Sequence, residues 1–253
     1  YIGCIANNTG TTIKSINLNN ITIEGKSYIG GAIAYTLEHD ITDISGENIN
    51  INATGDFIGG IIGRADWSDY RVPSTIKNNI INNSNIKGRN NVGGFIGYGR
   101  LYYIEGNNND VEGDSYVGGL SGHAYTLTYY SVVRESTIKG NVSNIAGIAG
   151  CHDGVYDCHV YDSTIQGIGS NTNEVGGLVA TITGSASIEQ SSVENCIIES
   201  TGSYVGGINS SGIGSINSFV YNTKISGYSN VGGVNGKLTP ANGFIYNVYI
   251  NAD

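Results

Sequence analysis

A nine-residue segment near the middle of the chain carries the side chains best suited to binding a metal. It runs from Cys151 to His159 and holds two cysteines, two histidines and two aspartates. These are zinc ligands, but structural zinc sites usually space their ligands in closer pairs. In a strand, Cys158 would point inward while its neighbour His159 points outward. We therefore expect no metal site, and no cofactor of any kind.

The other cysteines predict no disulfide framework. Cys4 lies so far from Cys151 along the chain that a bridge is excluded if the repeats described below stack one per turn. Cys158 and Cys196 occupy positions that hold serine or threonine in neighbouring repeats, which indicates small buried residues. A bridge between Cys151 and Cys158 within one repeat stays open.

Acidic residues give no sign of a catalytic pair. A glycosidase or lyase needs clustered carboxylates, or an arginine or lysine beside an aspartate. Three glutamates share one position of the repeat, but copies with a lysine or an amide at that position come between them: Glu24, Glu112 and Glu199 alternate with Lys87, Lys139 and Gln166. Such alternation is typical of a solvated face. We predict that the chain is not an enzyme and has no catalytic residues.

Tyrosines form a more suggestive pattern. Tyr102, Tyr129 and Tyr156 recur at a constant spacing, and Tyr103 and Tyr130 follow the first two directly. If the spacing is one structural repeat, the rings form a stepped strip on an outward face, which could stack on sugar rings or on apolar side chains of a partner. The alternative is that the rings only stabilise one another across adjacent strands.

A short glycine motif recurs along the whole chain and sets the spacing of all these residues. Each copy has a β-branched residue, two small residues and a large apolar one. The copies are Ile29-Gly30-Gly31-Ala32, Ile58-Gly59-Gly60-Ile61, Val92-Gly93-Gly94-Phe95, Val117-Gly118-Gly119-Leu120, Ile145-Ala146-Gly147-Ile148, Val175-Gly176-Gly177-Leu178, Val205-Gly206-Gly207-Ile208 and Val231-Gly232-Gly233-Val234, with a degenerate ninth, Ile2-Gly3-Cys4-Ile5. The chain is therefore a repeat protein.

A second motif lies between these copies and defines the repeat length. A branched apolar anchor recurs at Ile23, Ile51, Ile86, Val111, Ile138, Ile165, Ile198, Ile225 and Ile250. Three residues before each anchor lies Asn20, Asn48, Asn83, Asn108, Glu135, Asp162, Asn195, Asn222 or Asn247. The mean spacing is about 28 residues, and each repeat holds three short apolar segments, which is typical of three strands.

Repeats this short must stack to bury their apolar residues. The sequence predicts an all-β fold, a parallel β-solenoid of about nine turns, with three short strands per turn. The right-handed form of this β-helix is expected, because parallel crossovers are right-handed. We expect residues 1–253 to form one domain. Asparagines stacked in a column would hydrogen-bond to one another as a structural ladder, and the glycine motif would form a corner with positive φ.

Net charge and hydropathy argue against two classes of partner, nucleic acid and the membrane interior. The net charge is −9 and basic residues are not clustered, so no nucleic acid is expected. Apolar runs are too short for a spanning helix, which argues against membrane insertion. The sequence contains no methionine and starts with no signal peptide, so we expect a piece excised from a longer protein.

The combined pattern, as in Val175-Gly176-Gly177-Leu178 followed by Asn195-Cys196-Ile197-Ile198, resembles the GLUG repeat. This repeat is found in large secreted bacterial proteins, in adhesin-like proteins and in non-catalytic regions of IgA1-specific metallopeptidases. The resemblance implies an extracellular or cell-surface location. It also implies partners such as a host glycan, a host protein or neighbouring repeats. The zinc motif His-Glu-x-x-His of those peptidases is absent from this sequence. Ala146, Cys4, Glu135 and Asp162 depart from the repeat pattern.

Overall fold

The chain folds as a parallel β-solenoid. The computed structural model describes residues 1–5, 7–9, 12–37, 40–66, 75–125, 127–184, 186–212, 214–238, 245–246 and 249–252, and all regular structure within these ranges is strand. Every strand pairing is parallel and joins residues one repeat apart, as in Ile138 with Ile165. The fold class predicted from the repeat is confirmed.

The described strands fall into two sheets. One sheet has nine strands that follow the glycine motif: Asn8–Thr9, Ile33–Leu37, Ile62–Asp66, Ile96–Tyr98, Ser121–His123, Ala149–His152, Val179–Ile182, Asn209–Gly212 and Asn235–Leu238. The other wraps around the rest of each turn: Ile13–Lys14, Asn17–Gly25, Ile29–Gly30, Asp40–Thr42, Ser45–Ala53, Ile58–Gly59, Thr75–Asn82, Asn85–Lys87, Asn90–Gly93, Tyr102–Asn107, Asp110–Gly118, Thr128–Tyr129, Val132–Arg134, Thr137–Ala146, Val155–Tyr156, His159–Tyr161, Thr164–Gly167, Asn173–Gly176, Ile188–Glu189, Ser192–Glu194, Ile197–Ser200, Ser203–Gly206, Ser215–Ile216, Phe219–Ser226, Ser229–Gly232, Ile245–Tyr246 and Tyr249–Ala252.

The solenoid has about eight turns, rather than the nine expected. Anchors from Ile23 to Ile225 pair in the predicted order. Ile250, however, pairs with Val220 instead of Ile225, so the predicted alignment of the last turn is wrong. The sequence pattern could not distinguish these two apolar positions. Asn247 lies outside the described residues.

The turn from Tyr102 to His123 has the three strands expected, but the other complete turns are divided more finely. The turn from Val155 to Ile182, for example, contains five short strands. Single residues in the left-handed conformation separate many of these segments, and they recur at three positions of the turn. The first corner holds Ser15, Asp43, Asn78, Tyr103, Tyr130, Asp157, Gln190 and Asn217; the second holds Asn20, Asn48, Asn83, Asn108, Glu135, Asp162, Asn195 and Asn222; the third holds Tyr28, Phe57, Asn91, Tyr116, Asn144, Glu174, Tyr204 and Asn230.

Asparagine suits the second corner because it tolerates positive φ better than other side chains except glycine. The amides also join neighbouring turns. Hydrogen bonds run from Asn48 Nδ2 to Asn20 Oδ1 (3.2 Å), from Asn108 to Asn83 (2.6 Å), from Asn195 to Asp162 (3.1 Å) and from Asn222 to Asn195 (2.9 Å). Asn83 instead donates to Glu47, so the ladder has separate segments.

The glycine motif does not form the positive-φ corner that was predicted. Among the described glycines only Gly99 and Gly212 have such a φ, and the left-handed residue of the third corner precedes the motif. The glycines are needed for space. A Cβ on Gly177 would overlap the carbonyl oxygen of Gly207 in the next turn, and Gly31 has the same relation to Gly60.

The interior combines apolar columns with buried polar caps. Anchors from Ile51 to Ile198 are at most 1% exposed. The residue after each first or second corner points inward, and in many turns its oxygen accepts a hydrogen bond from the backbone N–H of the preceding turn. The accepting residues are Asn79, Ser131, Ser191 and Ser218 at the first corner, and Ser84, Asn109, Ser136, Ser163 and Thr223 at the second.

Replacing Glu135 by asparagine should stabilise the solenoid. Glu135 is exposed and has a φ of 51°, a conformation that costs most side chains roughly 1–2 kcal/mol but asparagine less. We expect Glu135→Asn to raise the free energy of unfolding by about 1 kcal/mol in urea denaturation. Glu24→Asn is the control, because Glu24 is exposed with ordinary φ. Equal effects of the two substitutions would contradict the corner assignment.

Replacing Gly177 by alanine should destabilise the fold. The added methyl group must push two turns of backbone apart, so we expect a loss of about 2–3 kcal/mol. Gly233→Ala is the matched control from the same column of the last turn, where the atoms nearest to a Cβ belong to the side chain of Ile250, at 3.1 Å, and not to backbone. If thermal melting showed equal losses for both, the close approach of backbones would not be the reason for the glycine.

Candidate functional site

The five tyrosines predicted to form a strip are brought together by the strand register. Tyr102, Tyr129 and Tyr156 lie on successive turns and pair directly with one another. Tyr103 and Tyr130 lie beside them at the first corner, both with positive φ. All five side chains are at least partly exposed. We call this group the tyrosine strip.

Ring contacts within the tyrosine strip are close. Centroids are 5.0 Å apart for Tyr102 and Tyr129, and 6.0 Å apart for Tyr129 and Tyr156, with tilted planes. Tyr103 and Tyr130 are nearly parallel, with centroids 4.6 Å apart and planes 12° apart. Such contacts stabilise neighbouring turns, and they also hold the rings in fixed positions before any ligand binds.

A groove lies next to the strip. It has a volume of about 360 Å³ and is lined by Asn78, Asn79, Ile80, Tyr103, Glu105 and Tyr130. The tyrosines come from two successive turns, and Asn78 precedes them at the same corner. Polar groups and an aromatic wall therefore meet in one concave surface. The groove was not predicted, because its lining comes from three turns.

The cysteines and the described histidines are not grouped as metal ligands. Within the ranges that the structure describes, no group of three or more histidine, cysteine or acidic side chains could hold an ion. All four cysteines are free, so Cys151 and Cys158 are not bridged. Cys158 and Cys196 are buried as expected, and burial raises the pKa of Cys158 to about 12 and that of Cys196 to about 11. These thiols are poor nucleophiles at neutral pH.

His152 has a structural role instead. It is fully buried, its Nδ1 accepts a hydrogen bond from the Gly154 N–H (2.9 Å), and its Nε2 lies 2.5 Å from Thr128 Oγ1. A ring that accepts at Nδ1 must be neutral, and it then donates from Nε2 to the threonine. Burial lowers the pKa of His152 to about 3, which keeps the ring neutral at physiological pH.

The three aligned glutamates remain separated, as the sequence predicts. Glu112 pairs in register with Lys87 on one side and Lys139 on the other, and it forms a 2.7 Å ion pair with Lys87. Glu199 accepts a hydrogen bond from Gln166 (2.6 Å). In this column no carboxylate has another carboxylate in the adjacent turn.

A second aromatic cluster was missed in the sequence. The Arg64 guanidinium lies over the rings of Phe57 (4.7 Å) and Tyr98 (4.6 Å), which meet each other edge-on, and its Nε pairs with Asp66 (2.9 Å). Tyr125 donates to the same carboxylate (3.1 Å). Arg64 and Tyr98 occupy equivalent positions after the glycine motif, a signal that alignment of the turns reveals. The Arg64 charge is paired with Asp66, and the cluster joins three successive turns through Arg64, Tyr98 and Tyr125.

Fold and surface together define a β-solenoid repeat region. The chain is similar to curated immunoglobulin A1 proteases of Streptococcus pneumoniae. Identity to one is 27% over 160 residues, or 57% of this chain and 8% of the relative. For the protein of the serotype 4 strain it is 26% over 163 residues. The match thus spans a small fraction of these relatives.

A solved structure supports the fold. The crystal structure of a candidate immunoglobulin A1 protease from Bacteroides ovatus matches 92% of this chain and 83% of its own, with a TM-score of 0.52 and 16% identity. At that identity the match speaks for the fold alone. No protein-family model matches the chain, so the resemblance to the GLUG repeat stays a prediction. Among the described residues, no helix has the length and apolar character needed to cross a membrane.

Acid should destabilise the protein through His152. The unfolded ring has a pKa of about 6.5, and the folded ring has a pKa of about 3. The stabilisation is therefore complete above pH 6.5 and is lost as the pH falls toward 3. We expect a loss of about 2–3 kcal/mol near pH 4.5. His152→Gln should reduce this dependence, measured as the difference in unfolding free energy between about pH 7 and 4.5. An identical dependence in both proteins would contradict the assignment.

Proposed function

We propose that this chain is a non-catalytic repeat domain of a secreted or cell-surface bacterial protein, with residues 1–253 forming one solenoid domain that spaces and presents binding elements. The observation that carries this proposal is the continuous stacking of turns. Backbone hydrogen bonds join each turn to the next, and equivalent side chains form columns along the stack. A rod built this way holds surface groups at fixed distances from one another. The GLUG-type pattern supports the same role.

The tyrosine strip is the surface we propose for adhesion. Tyrosine combines a large apolar area with a hydroxyl group and loses little conformational entropy on binding. Strip residues are already fixed against one another by ring contacts of 4.6–6.0 Å. The partner would be a glycan or protein outside the cell, or a neighbouring repeat of the same protein. Nucleic acid fits poorly with a net charge of −9.

A second candidate function is an accessory region of a secreted peptidase of the immunoglobulin A1 protease kind, which would position substrate or attach the enzyme to a surface. The named relatives favour it. The two candidates differ in the rest of the gene product: a His-Glu-x-x-His motif elsewhere in it favours the peptidase, and a surface anchor with further repeats favours the adhesive protein.

A carbohydrate-active solenoid enzyme is the least supported alternative. Retaining and inverting glycosidases place two carboxyl groups roughly 5–9.5 Å apart across the scissile bond. The aligned glutamates instead pair with a lysine or a glutamine of the adjacent turn. Their geometry supports a solvated face.

Removing three rings of the tyrosine strip should weaken adhesion without unfolding the solenoid. We expect the chain to bind extracellular glycans or proteins in array screens, and the triple variant with Tyr102, Tyr129 and Tyr156 changed to alanine to bind at least about tenfold more weakly, a loss typical of aromatic contact residues. Circular dichroism and melting temperature of the variant serve as the folding control. Unchanged binding by a folded triple variant, or no ligand for either protein, would refute the adhesive role.

A further inference from the structure

The groove beside the tyrosine strip has the chemistry of a sugar-binding site. Its aromatic wall is formed by Tyr103 and Tyr130, and it also contains the partly exposed side chain of Ile80 and two exposed polar side chains, Asn78 and Glu105. Protein sites for sugars need an apolar face for the C–H groups of the ring and hydrogen-bonding groups for its hydroxyls. Both kinds of group line this groove.

The aromatic wall has one open end. Tyr130 is stacked against Tyr103, but the preceding residue at the same corner is Asn78. No third ring of this column therefore continues the stack beyond Tyr103, and its side chain is 44% exposed. A flat ring placed on that side would extend the existing stack by one member.

The polar residues of the groove have different roles. Asn79 is buried, and its amide is engaged inward: Oδ1 accepts from the Ile44 N–H (2.8 Å) and Nδ2 donates to the Ile41 carbonyl (3.4 Å). It fixes the backbone under the groove and leaves its amide unavailable to a ligand. Glu105 and Asn78 are exposed and carry the groups that can reach one. Glu105 pairs in register with Ile80, which places polar and apolar side chains next to each other.

Charge and ring geometry select among ligands. Among the described residues, the groove lining has one carboxylate and no basic side chain, and the chain has a net charge of −9, so an anionic ligand would be repelled. The aromatic cages that bind quaternary ammonium ligands surround the cation with several ring faces. Tyr103 and Tyr130 face each other at 4.6 Å and cannot enclose a cation between them. A neutral ring rich in hydroxyl groups is not repelled by the carboxylate and does not need aromatic faces on several sides, so it fits the groove better than either kind of ion.

We propose that the groove binds a neutral pyranose unit of an oligosaccharide, with its C–H face on Tyr103 and its hydroxyls donating to Glu105 and bonding with the Asn78 amide. This inference rests on the adhesive function proposed above and assigns it a site and a ligand class. Tyr102, Tyr129 and Tyr156 then support the wall from the neighbouring column.

The test uses the whole chain and an array of neutral hexose oligosaccharides, with sialylated and sulfated counterparts on the same slide. Tyr103→Asn is the decisive variant, because asparagine already occupies this corner at Asn78 and keeps the backbone conformation. We expect it to weaken neutral-sugar binding at least about tenfold, and Tyr103→Phe to stay within about threefold of the parent. Tyr221→Asn is the control, since Tyr221 is equally exposed (45%) and lies on a distant turn.

The outcomes separate this inference from the proposed function. Neutral sugars that bind equally well to the parent and to Tyr103→Asn would overturn the groove, and so would binding restricted to anionic glycans or to cationic peptides. A cationic peptide that binds the parent but not Glu105→Gln, while neutral sugars bind neither protein, would indicate a cation site and overturn the proposal. If no sugar bound but a protein ligand were lost in the triple strip variant, the adhesive function would stand and the sugar site would fall. Absence of any ligand would remove both.

Discussion

Each turn of this solenoid lies within hydrogen-bonding distance of the turns on either side, and that approach constrains almost every residue type in the chain. At the glycine motif the Gly31 N–H lies 3.0 Å from the carbonyl oxygen of Gly60, and the contact recurs from turn to turn. There is no room for a Cβ pointing at the next turn's carbonyl. Because the turns from Gly31 to Gly207 meet this requirement at the same position, the sequence repeats glycine there.

The corners meet a second constraint. A chain that turns sharply within one residue uses the left-handed conformation, which is unfavourable for most side chains. It also displaces the next backbone N–H from the ladder of hydrogen bonds, and a buried N–H without a partner is costly. A hydroxyl or amide from the next turn accepts from that N–H in many turns, as Ser136 does for Asn109 (3.1 Å). Cys158 and Cys196 occupy two of these inward positions and are buried there.

Outward side chains on the strands between corners are free of both constraints, which explains why their chemistry varies. The same outward column holds glutamate, lysine and glutamine in successive turns. Where tyrosines succeed one another instead, the constant separation of turns stacks their rings without further help from the fold. A groove then forms where the aromatic column gives way to Asn78. In this architecture a binding surface arises from a few substitutions in adjacent turns, at little cost to the interior.

The sequence by itself determined the repeat, the parallel solenoid, the inward anchor columns, the alignment of the tyrosines and the separation of the aligned glutamates. These features depend on one residue type recurring at one position, and periodicity reports that directly. Only the tertiary structure decided which residues take positive φ, that the glycines are needed for space, that Ile250 pairs with Val220, and that Arg64 lies over two aromatic rings. Each of these features depends on contacts between atoms of different turns. The spacing of residues along the chain does not give those interatomic distances.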